Sequence, residues 1–350
     1  MIKASINGFG RVGRLALRVW LQRQDIQKEL NIIAINTSGS MPIAGWAHLL
    51  KYDTAYGTLQ NKISIKEVKQ PEEVTDTDSL IGHLNIDSHQ IAVLAQRDPL
   101  KLPWNKHQID LVIEATGKFR KEKDAALHLK AGAKKVLLSA PAKEGNIGSY
   151  VIGVNKYTGK HQIADNASCT TNCTAPIIGI LHAKFGIKKA ALTTIHAYTD
   201  GQRLQDNSHK DLRRARAAAL NMVPTTTGAA KSTTGVIPDL KDKFDGFAIR
   251  VPVITGSISD ITALINKKTT IEEVNQTFKD AEKNPLWKGI VATTSEPLVS
   301  SDIIGRNESA IVDLEMTRVI DGDLVKIVAW YDNEWGYAAR LMEQAVNVGK

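Results

Sequence analysis

The chain contains two cysteines, and both fall in one short stretch, Ser168-Cys169-Thr170-Thr171-Asn172-Cys173. Asn166, Ser168 and Thr170 are N-cap residue types, and 175–183 reads as helix, which puts Cys169 at or near a helix N-terminus. There the helix dipole favours the thiolate, the form of cysteine that attacks a carbonyl carbon. Attack on an aldehyde gives a hemithioacetal, whose hydroxyl proton needs a base if hydride is to leave. His196 ends a predicted strand over 193–199 and is the candidate base. Cys173 lies one helical turn further on and reads as a small buried residue. The spacing of the two thiols is not the C-x-x-C of a redox pair, and two thiols are not a disulfide framework. No cluster of His, Cys and carboxylates has metal-ligand spacing, so metal catalysis is not expected.

A hydride needs an acceptor, and the N-terminus supplies the pattern for one. Gly8-Phe9-Gly10-Arg11-Val12-Gly13 fits G-x-G-x-x-G. The pattern alone is unspecific. Here it directly follows a predicted strand and opens a predicted helix, the context that a dinucleotide site requires. Gly8 permits the tight turn, Gly10 lets a pyrophosphate approach the backbone, and Gly13 lets the helix pack on the strand. The second strand should carry an acidic residue for the adenosine ribose of NAD. It ends instead in Asn36-Thr37-Ser38-Gly39. A carboxylate would repel a 2′-phosphate, whereas the hydroxyls of Thr37 and Ser38 could donate to one. The cofactor is therefore expected to be NAD or NADP, with NADP tolerated. In the competing reading the Asn36 side chain or a backbone group holds the ribose and NAD binds well.

Two domains must position these groups. A length of 350 residues suits two cores better than one. The first half alternates strand patterns (2–7, 31–36, 90–95, 109–115, 135–139, 150–154) with helical ones (11–23, 121–130), which predicts a parallel sheet covered on both faces. The second half has longer, partly alternating strands over 190–197, 246–253, 257–265, 310–317 and 324–331. Asp321-Gly322 marks a tight turn between the last two. This predicts an α/β protein: a Rossmann-type parallel-sheet domain plus an α+β catalytic domain with a mostly antiparallel sheet. The expected boundaries are 1–167 for the dinucleotide-binding domain, with a C-terminal helix in 334–350 packing back on it, and 168–333 for the catalytic domain. The net charge of +8 is spread along the chain. That favours anionic metabolites over nucleic acid as primary ligand. No apolar run is long enough to span a bilayer, and a signal-peptide core is lacking. The default location is a reducing cytoplasm.

Five stretches in order then resemble one family, the phosphorylating glyceraldehyde-3-phosphate dehydrogenases. They are Ile6-Asn7-Gly8-Phe9-Gly10-Arg11, the Cys169 motif, His209-Lys210-Asp211-Leu212-Arg213-Arg214-Ala215-Arg216, Pro224-Thr225-Thr226-Thr227-Gly228-Ala229-Ala230-Lys231, and Trp330-Tyr331-Asp332-Asn333-Glu334-Trp335-Gly336-Tyr337. The resemblance implies that Cys169 is the nucleophile and His196 the base. It implies Arg11 and Val12 under the cofactor pyrophosphate, Arg97 and Ser139 on its adenine and nicotinamide sides, and Asn333 on the carboxamide. It implies Thr199 and Arg250 on the substrate phosphate, with Ser168, Thr170, Arg214, Thr227 and Gly228 on or supporting the attacking inorganic phosphate. Phosphate sites of this kind use charge-assisted hydrogen bonds. A homotetramer acting in glycolysis, gluconeogenesis or biosynthetic reduction is implied too, with 199–223 as a loop lining the cofactor groove near a neighbouring subunit. For the charges of 210–216 other than Arg214, the expected role is a solvated or subunit-facing surface.

The chain departs from the family pattern at three places: Thr37 for the usual Asp, Asp200-Gly201 for Asn-Asp, and Ile254-Thr255-Gly256 after Arg250-Val251-Pro252. Two rival readings remain. An erythrose-4-phosphate dehydrogenase would share the framework and release its thioester to water. A catalytically silent homologue would use the basic surface on nucleotide or RNA.

Overall fold

A computed structural model describes residues 1–350. The chain divides into two compact units, one of Met1–Tyr150, Tyr157–Ala167 and Ala338–Lys350, the other of Val151–Lys156 and Ser168–Tyr337.

The first unit is built on a nine-stranded sheet. From one edge it runs Gly148–Ser149, Ile163–Asp165, Lys135–Leu138, Leu111–Glu114, Ile2–Asn7, Leu30–Thr37 and His89–Ala95, all parallel. Leu80–Ile86 and Ile63–Glu67 then extend it in antiparallel fashion. Its central strands are largely buried on both faces, as a covered parallel sheet requires, with polar residues gathered toward their carboxyl ends. Ile2–Asn7 has Leu30–Thr37 on one side and Leu111–Glu114 on the other, so chain direction across the sheet reverses at its carboxyl end. That switch point is where open α/β sheets bind ligands, and the Gly8–Gly13 turn sits there. The last helix, Trp335–Gly349, buries Ala338, Leu341, Met342 and Ala345, the face its periodicity marks.

One predicted strand is absent. Residues 150–154 form a turn in which the Val154 and Asn155 amides donate to the Val151 carbonyl, and the Asn155 side chain accepts from the Val151 amide. Gly153 takes a φ of +86° there, so the apolar run cannot stay extended. Ile163–Asp165 occupies the sheet position instead.

The second unit carries an eight-stranded sheet. Most of its pairings are antiparallel, with Ile187–Ala197 beside Phe244–Val251 and Val291–Thr294 beside Ala310–Asp313 as the parallel ones. Ser257–Ile265 and Leu324–Tyr331 alternate strictly between buried and half-buried residues. Their inward side chains (Ile261, Ala263, Val325, Ile327) pack with Ile177, Ile178 and Leu181 of helix Cys169–Phe185. Each fully buried side chain of this size is worth about 1.5–3 kcal/mol. Asp321 and Gly322, at φ +47° and +77°, turn Arg318–Ile320 back onto Leu324–Tyr331. The strand predicted over 310–317 is broken by a short helical turn, Leu314–Met316.

Candidate active site

Helix Cys169–Phe185 begins at the cysteine itself, six residues before the predicted start. Ser168 is its N-cap: Oγ accepts from the Thr171 amide at 3.0 Å. Ala167 holds a φ of +52° while fully buried, and its amide is fixed by the Asp165 carboxylate at 2.8 Å. A non-glycine residue in this region is strained, and such strain clusters at functional sites. It aims the first helical turn so that Cys169 Sγ lies 3.4 Å from His196 Nε2. His196 comes from strand Ile187–Ala197 and stands in register with Arg250 on Phe244–Val251.

The electrostatics of this pair differ from what the helix dipole alone suggests. Burial pushes the Cys169 thiol pKa up, with the Arg250 charge and the Thr170 hydroxyl opposing it. Burial, and then Arg250, bring the His196 pKa down from 6.5 to about 3 against the pull of the Ala197 carbonyl. The thiol and imidazole are thus both held neutral in this arrangement. Cys173 is fully buried, and burial raises its thiol pKa to about 12, which fits the inert role expected of it.

Around the pair, Thr170 Oγ1 lies 2.9 Å from the Tyr331 hydroxyl, which is also 2.9 Å from Thr194 Oγ1. Arg214 Nε donates to Thr225 Oγ1 at 2.8 Å, and Thr225 donates to Asp211 at 3.1 Å. Asp211 therefore aims Arg214, a role sequence reading missed because it passed over the rest of that charged run. Thr227 Oγ1 accepts from the Ala229 amide, and Gly228 is the N-cap of helix Ala229–Val236. That helix meets Cys169–Phe185 through Thr174 and Thr233, 2.9 Å apart. Two helix N-termini and Arg214 thus lie in one region of this unit, suited to a phosphate. Thr199 is exposed and fixed through the Gln202 side chain. Asn333 is buried, and its Oδ1 accepts from Gly256 N at 3.1 Å and Ser257 Oγ at 2.7 Å. Those donors orient the amide so that its nitrogen is the donor left for another partner. The 254–256 departure from the family pattern thus has a role: Gly256, at φ +87°, brings its N–H to Asn333.

In the first unit the glycine loop fits a dinucleotide. Gly8 has φ +99°, and a Cβ there would lie 2.7 Å from the Thr116 amide. A Cβ on Gly13 would lie 2.1 Å from the Gly8 carbonyl, whereas one on Gly10 would meet nothing within 4 Å. The open approach is at Gly10, as a bound phosphate needs. Helix Arg11–Gln22 has no side-chain cap, so its first-turn amides can serve an anion. Arg11 is held at the loop by an ion pair with Asp53, whose backbone partners are Ala55 and Tyr56. Burial works against the Asp53 carboxylate, but Arg11 and the Tyr56 and Ala55 amides together keep its pKa below the usual carboxylate range. Val12 follows Arg11, half-buried, on the same turn. Ser139 ends strand Lys135–Leu138, its amide on the Glu114 carbonyl.

Two expectations at the second strand need correction. Asn36 is buried, with its amide engaged by the Asn7 side chain and the Gln96 backbone, so it braces the sheet end rather than reaching outward. Thr37 is buried too, and its one hydroxyl proton goes to the Leu94 carbonyl at 3.0 Å. What Thr37 contributes is the lack of a carboxylate. Ser38 is exposed beside Ser40. Arg97, distant in sequence, donates from Nε to the Ser38 carbonyl at 3.2 Å. Both line a cavity of about 330 Å³ that includes Gly39, Gln96 and Thr75. A guanidinium 59 residues away in sequence thus stands at the end of the second strand.

The fold and these two sites are those of a nicotinamide-dinucleotide dehydrogenase whose second unit holds a thiol–imidazole pair. Family models for the glyceraldehyde 3-phosphate dehydrogenase NAD binding domain and C-terminal domain match residues 2–122 and 168–333. The chain is 49% identical over 346 residues to a chloroplastic glyceraldehyde-3-phosphate dehydrogenase A of Chlamydomonas reinhardtii, covering 98% of this chain and 88% of that protein. It is 48% identical over 351 residues to glyceraldehyde-3-phosphate dehydrogenase 2 of Streptomyces avermitilis, covering 99% and 98%. To the chloroplastic A form of Zea mays it is 47% identical, covering 98% and 81%. The chain belongs to the glyceraldehyde-3-phosphate dehydrogenase family and is an oxidoreductase with a domain for NAD(P). The erythrose-4-phosphate and silent-homologue readings are not favoured. No helix is long and apolar enough to cross a membrane.

Proposed function

We propose that this enzyme interconverts D-glyceraldehyde 3-phosphate and 1,3-bisphosphoglycerate through a thioester on Cys169. The observation that carries the reading is Cys169 Sγ at a helix N-terminus, 3.4 Å from His196 Nε2, in the unit that also holds Arg250 and Arg214. Residues 1–167 with 334–350 would bind the cofactor and 168–333 would carry the chemistry. Thr199 and Arg250 hold the substrate phosphate, and Cys169 adds to the aldehyde carbon. His196 takes the hydroxyl proton as the hemithioacetal is oxidised. When bound, the nicotinamide cofactor supplies the hydride acceptor, with Asn333 orienting its carboxamide. Ser168, Thr170, Arg214, Thr227 and Gly228 then steer inorganic phosphate onto the acyl carbon, which expels the Cys169 thiolate. Sulfur suits this task because a thioester remains activated toward the incoming phosphate. Turnover should depend on inorganic phosphate and saturate with it. Equal steady-state rates in its absence would point to hydrolysis and defeat the reading.

The cofactor reading includes NADP. Its support is the missing carboxylate at Thr37 and the placement of Arg97 beside Ser38. Ser38→Asp puts a negative charge there, which pairs with Arg97 and repels a 2′-phosphate. NADPH-dependent kcat/KM is expected to fall roughly 100-fold, about 2.7 kcal/mol, with the NADH value within threefold of wild type. Parallel losses with both cofactors would place the 2′-phosphate elsewhere.

A homotetramer is proposed as well. Leu204, Leu212, Leu220 and Met222 are 75–85% exposed in 199–223, an amount of apolar surface that suits a subunit contact. The proposed setting is cytoplasmic, in glycolysis, gluconeogenesis or biosynthetic reduction, and its support is the pair of free thiols.

A further inference from the structure

Strand Ser257–Ile265 lies between Ile187–Ala197 and Leu324–Tyr331 in the sheet of the second unit. Ser257, its first residue, therefore meets the ends of both neighbours, and it is buried together with Ala197 and Asn333. Its hydroxyl joins the two. The Ala197 amide lies 3.1 Å from Ser257 Oγ and can only donate, so Oγ is the acceptor there. The hydroxyl proton is left for Asn333 Oδ1, 2.7 Å away. The Ala197 nitrogen belongs to the His196–Ala197 peptide, so the same hydroxyl holds the backbone from which the imidazole rises.

The backbone on either side of Asn333 is fixed by other groups. One Asp332 oxygen accepts from the Glu334 and Trp335 amides at 2.9 and 2.8 Å, and the other accepts from the Gly305 amide at 2.8 Å. Thr255 Oγ1 donates to the Asp332 carboxylate at 3.1 Å, nearer than its 3.4 Å to Asn333 Oδ1. What the backbone leaves open is which end of the Asn333 amide faces inward. The Gly256 N–H at 3.1 Å and the Ser257 hydroxyl decide it. A flipped amide would set its Nδ2 donor against the Gly256 N–H. Two donors on Oδ1 also polarise the amide and strengthen Nδ2 as a donor toward a carbonyl. Of the two, Ser257 makes the shorter bond and is the one that also reaches the His196–Ala197 peptide.

We propose that Ser257 is a positioning residue for hydride transfer: its hydroxyl keeps the Asn333 nitrogen turned toward the nicotinamide carboxamide and ties that amide to the His196–Ala197 backbone, so that the carboxamide clamp and the base keep a fixed spacing. The proposal rests on the reading of Asn333 as the carboxamide ligand. Ser257 needs no contact with the cofactor to act in this way. Loss of the hydroxyl removes the shortest bond to Asn333 Oδ1 and strips the buried Ala197 amide of its acceptor, which is costly for a buried donor. The glycine loop belongs to the first unit, so the effect is confined to the nicotinamide end of the cofactor.

The test is calorimetric titration of the full-length protein with NAD and with ADP-ribose, which lacks the nicotinamide. Ser257→Ala is expected to weaken NAD binding about five- to tenfold, the scale of one hydrogen bond, and to leave ADP-ribose binding within about twofold of wild type. Ser257→Thr keeps the hydroxyl at a strand position that accepts β-branching, and should recover most of the NAD affinity. Asn333→Ala should lose at least as much as Ser257→Ala, and the double variant no more than Asn333→Ala alone, because the two side chains act as one unit. Losses that add in the double variant, losses that ADP-ribose shares, or a Thr variant no better than Ala overturn the proposal and leave Ser257 a residue of general stability. Unchanged NAD binding in Ser257→Ala beside a loss in Asn333→Ala overturns the proposal alone. Unchanged NAD binding in Asn333→Ala overturns it together with the reading beneath it.

Discussion

Cys169→Ser is expected to lower turnover by at least about 10⁴-fold, the scale on which loss of a covalent nucleophile is felt. The serine hydroxyl fills the same place at the start of the helix, so the cap from Ser168 to Thr171 survives. It does not ionise near neutral pH, and an ester is less activated than a thioester toward phosphate. Cofactor binding should be unchanged, because the glycine loop belongs to the first unit. Reduced-cofactor absorbance reads turnover, and fluorescence quenching by cofactor reads binding. Retained turnover with normal cofactor affinity would show that the sulfur is dispensable.

His196→Asn has the second largest expected effect, a loss of about 10²–10⁴-fold in kcat, typical of general-base removal. The rise in kcat with pH that reports the base should flatten as well. A stability signature accompanies it. The folded His196 pKa is about 3 against 6.5 in the free side chain. Between those values the unfolded chain binds a proton that the folded chain refuses, so stability rises with pH across this window. The contribution is present above pH 6.5 and is lost as the pH falls toward 3. Urea unfolding across this range should show a shallower pH dependence in the Asn variant than in wild type. An unchanged slope would mean that His196 is readily protonated in the folded protein.

Much of the site was legible because its chemistry is local. Gly8, Gly10 and Gly13 act on the backbone within one turn, and Ser168 caps the helix that Cys169 begins, so spacing carried the signal. Alternation likewise marked Ser257–Ile265 and Leu324–Tyr331, each with one face on a core. What stayed hidden depends on partners distant in sequence. Thr37 and Asn36 face inward because Leu94, Gln96 and Asn7 claim their polar atoms. Arg97 comes to Ser38 across 59 residues, and Asp53 reaches Arg11 across 42. The strand over 63–67 is mostly exposed on both faces at a sheet edge, so it offers no hydrophobic period. Residues 150–154 are apolar enough for a strand, but the Asn155 side chain and Gly153 close a turn.

The proposed mechanism turns on a thioester on Cys169 that phosphate discharges. Its most direct test is a rapid-mixing experiment with glyceraldehyde 3-phosphate and excess cofactor in phosphate-free buffer, followed by acid quench and peptide mass analysis. The expected result is a burst of reduced cofactor stoichiometric with active sites, a 3-phosphoglyceroyl adduct on the Cys169 peptide, and loss of that adduct with continued turnover once phosphate is added. A burst with no adduct on Cys169, or an adduct that phosphate leaves in place, would contradict it.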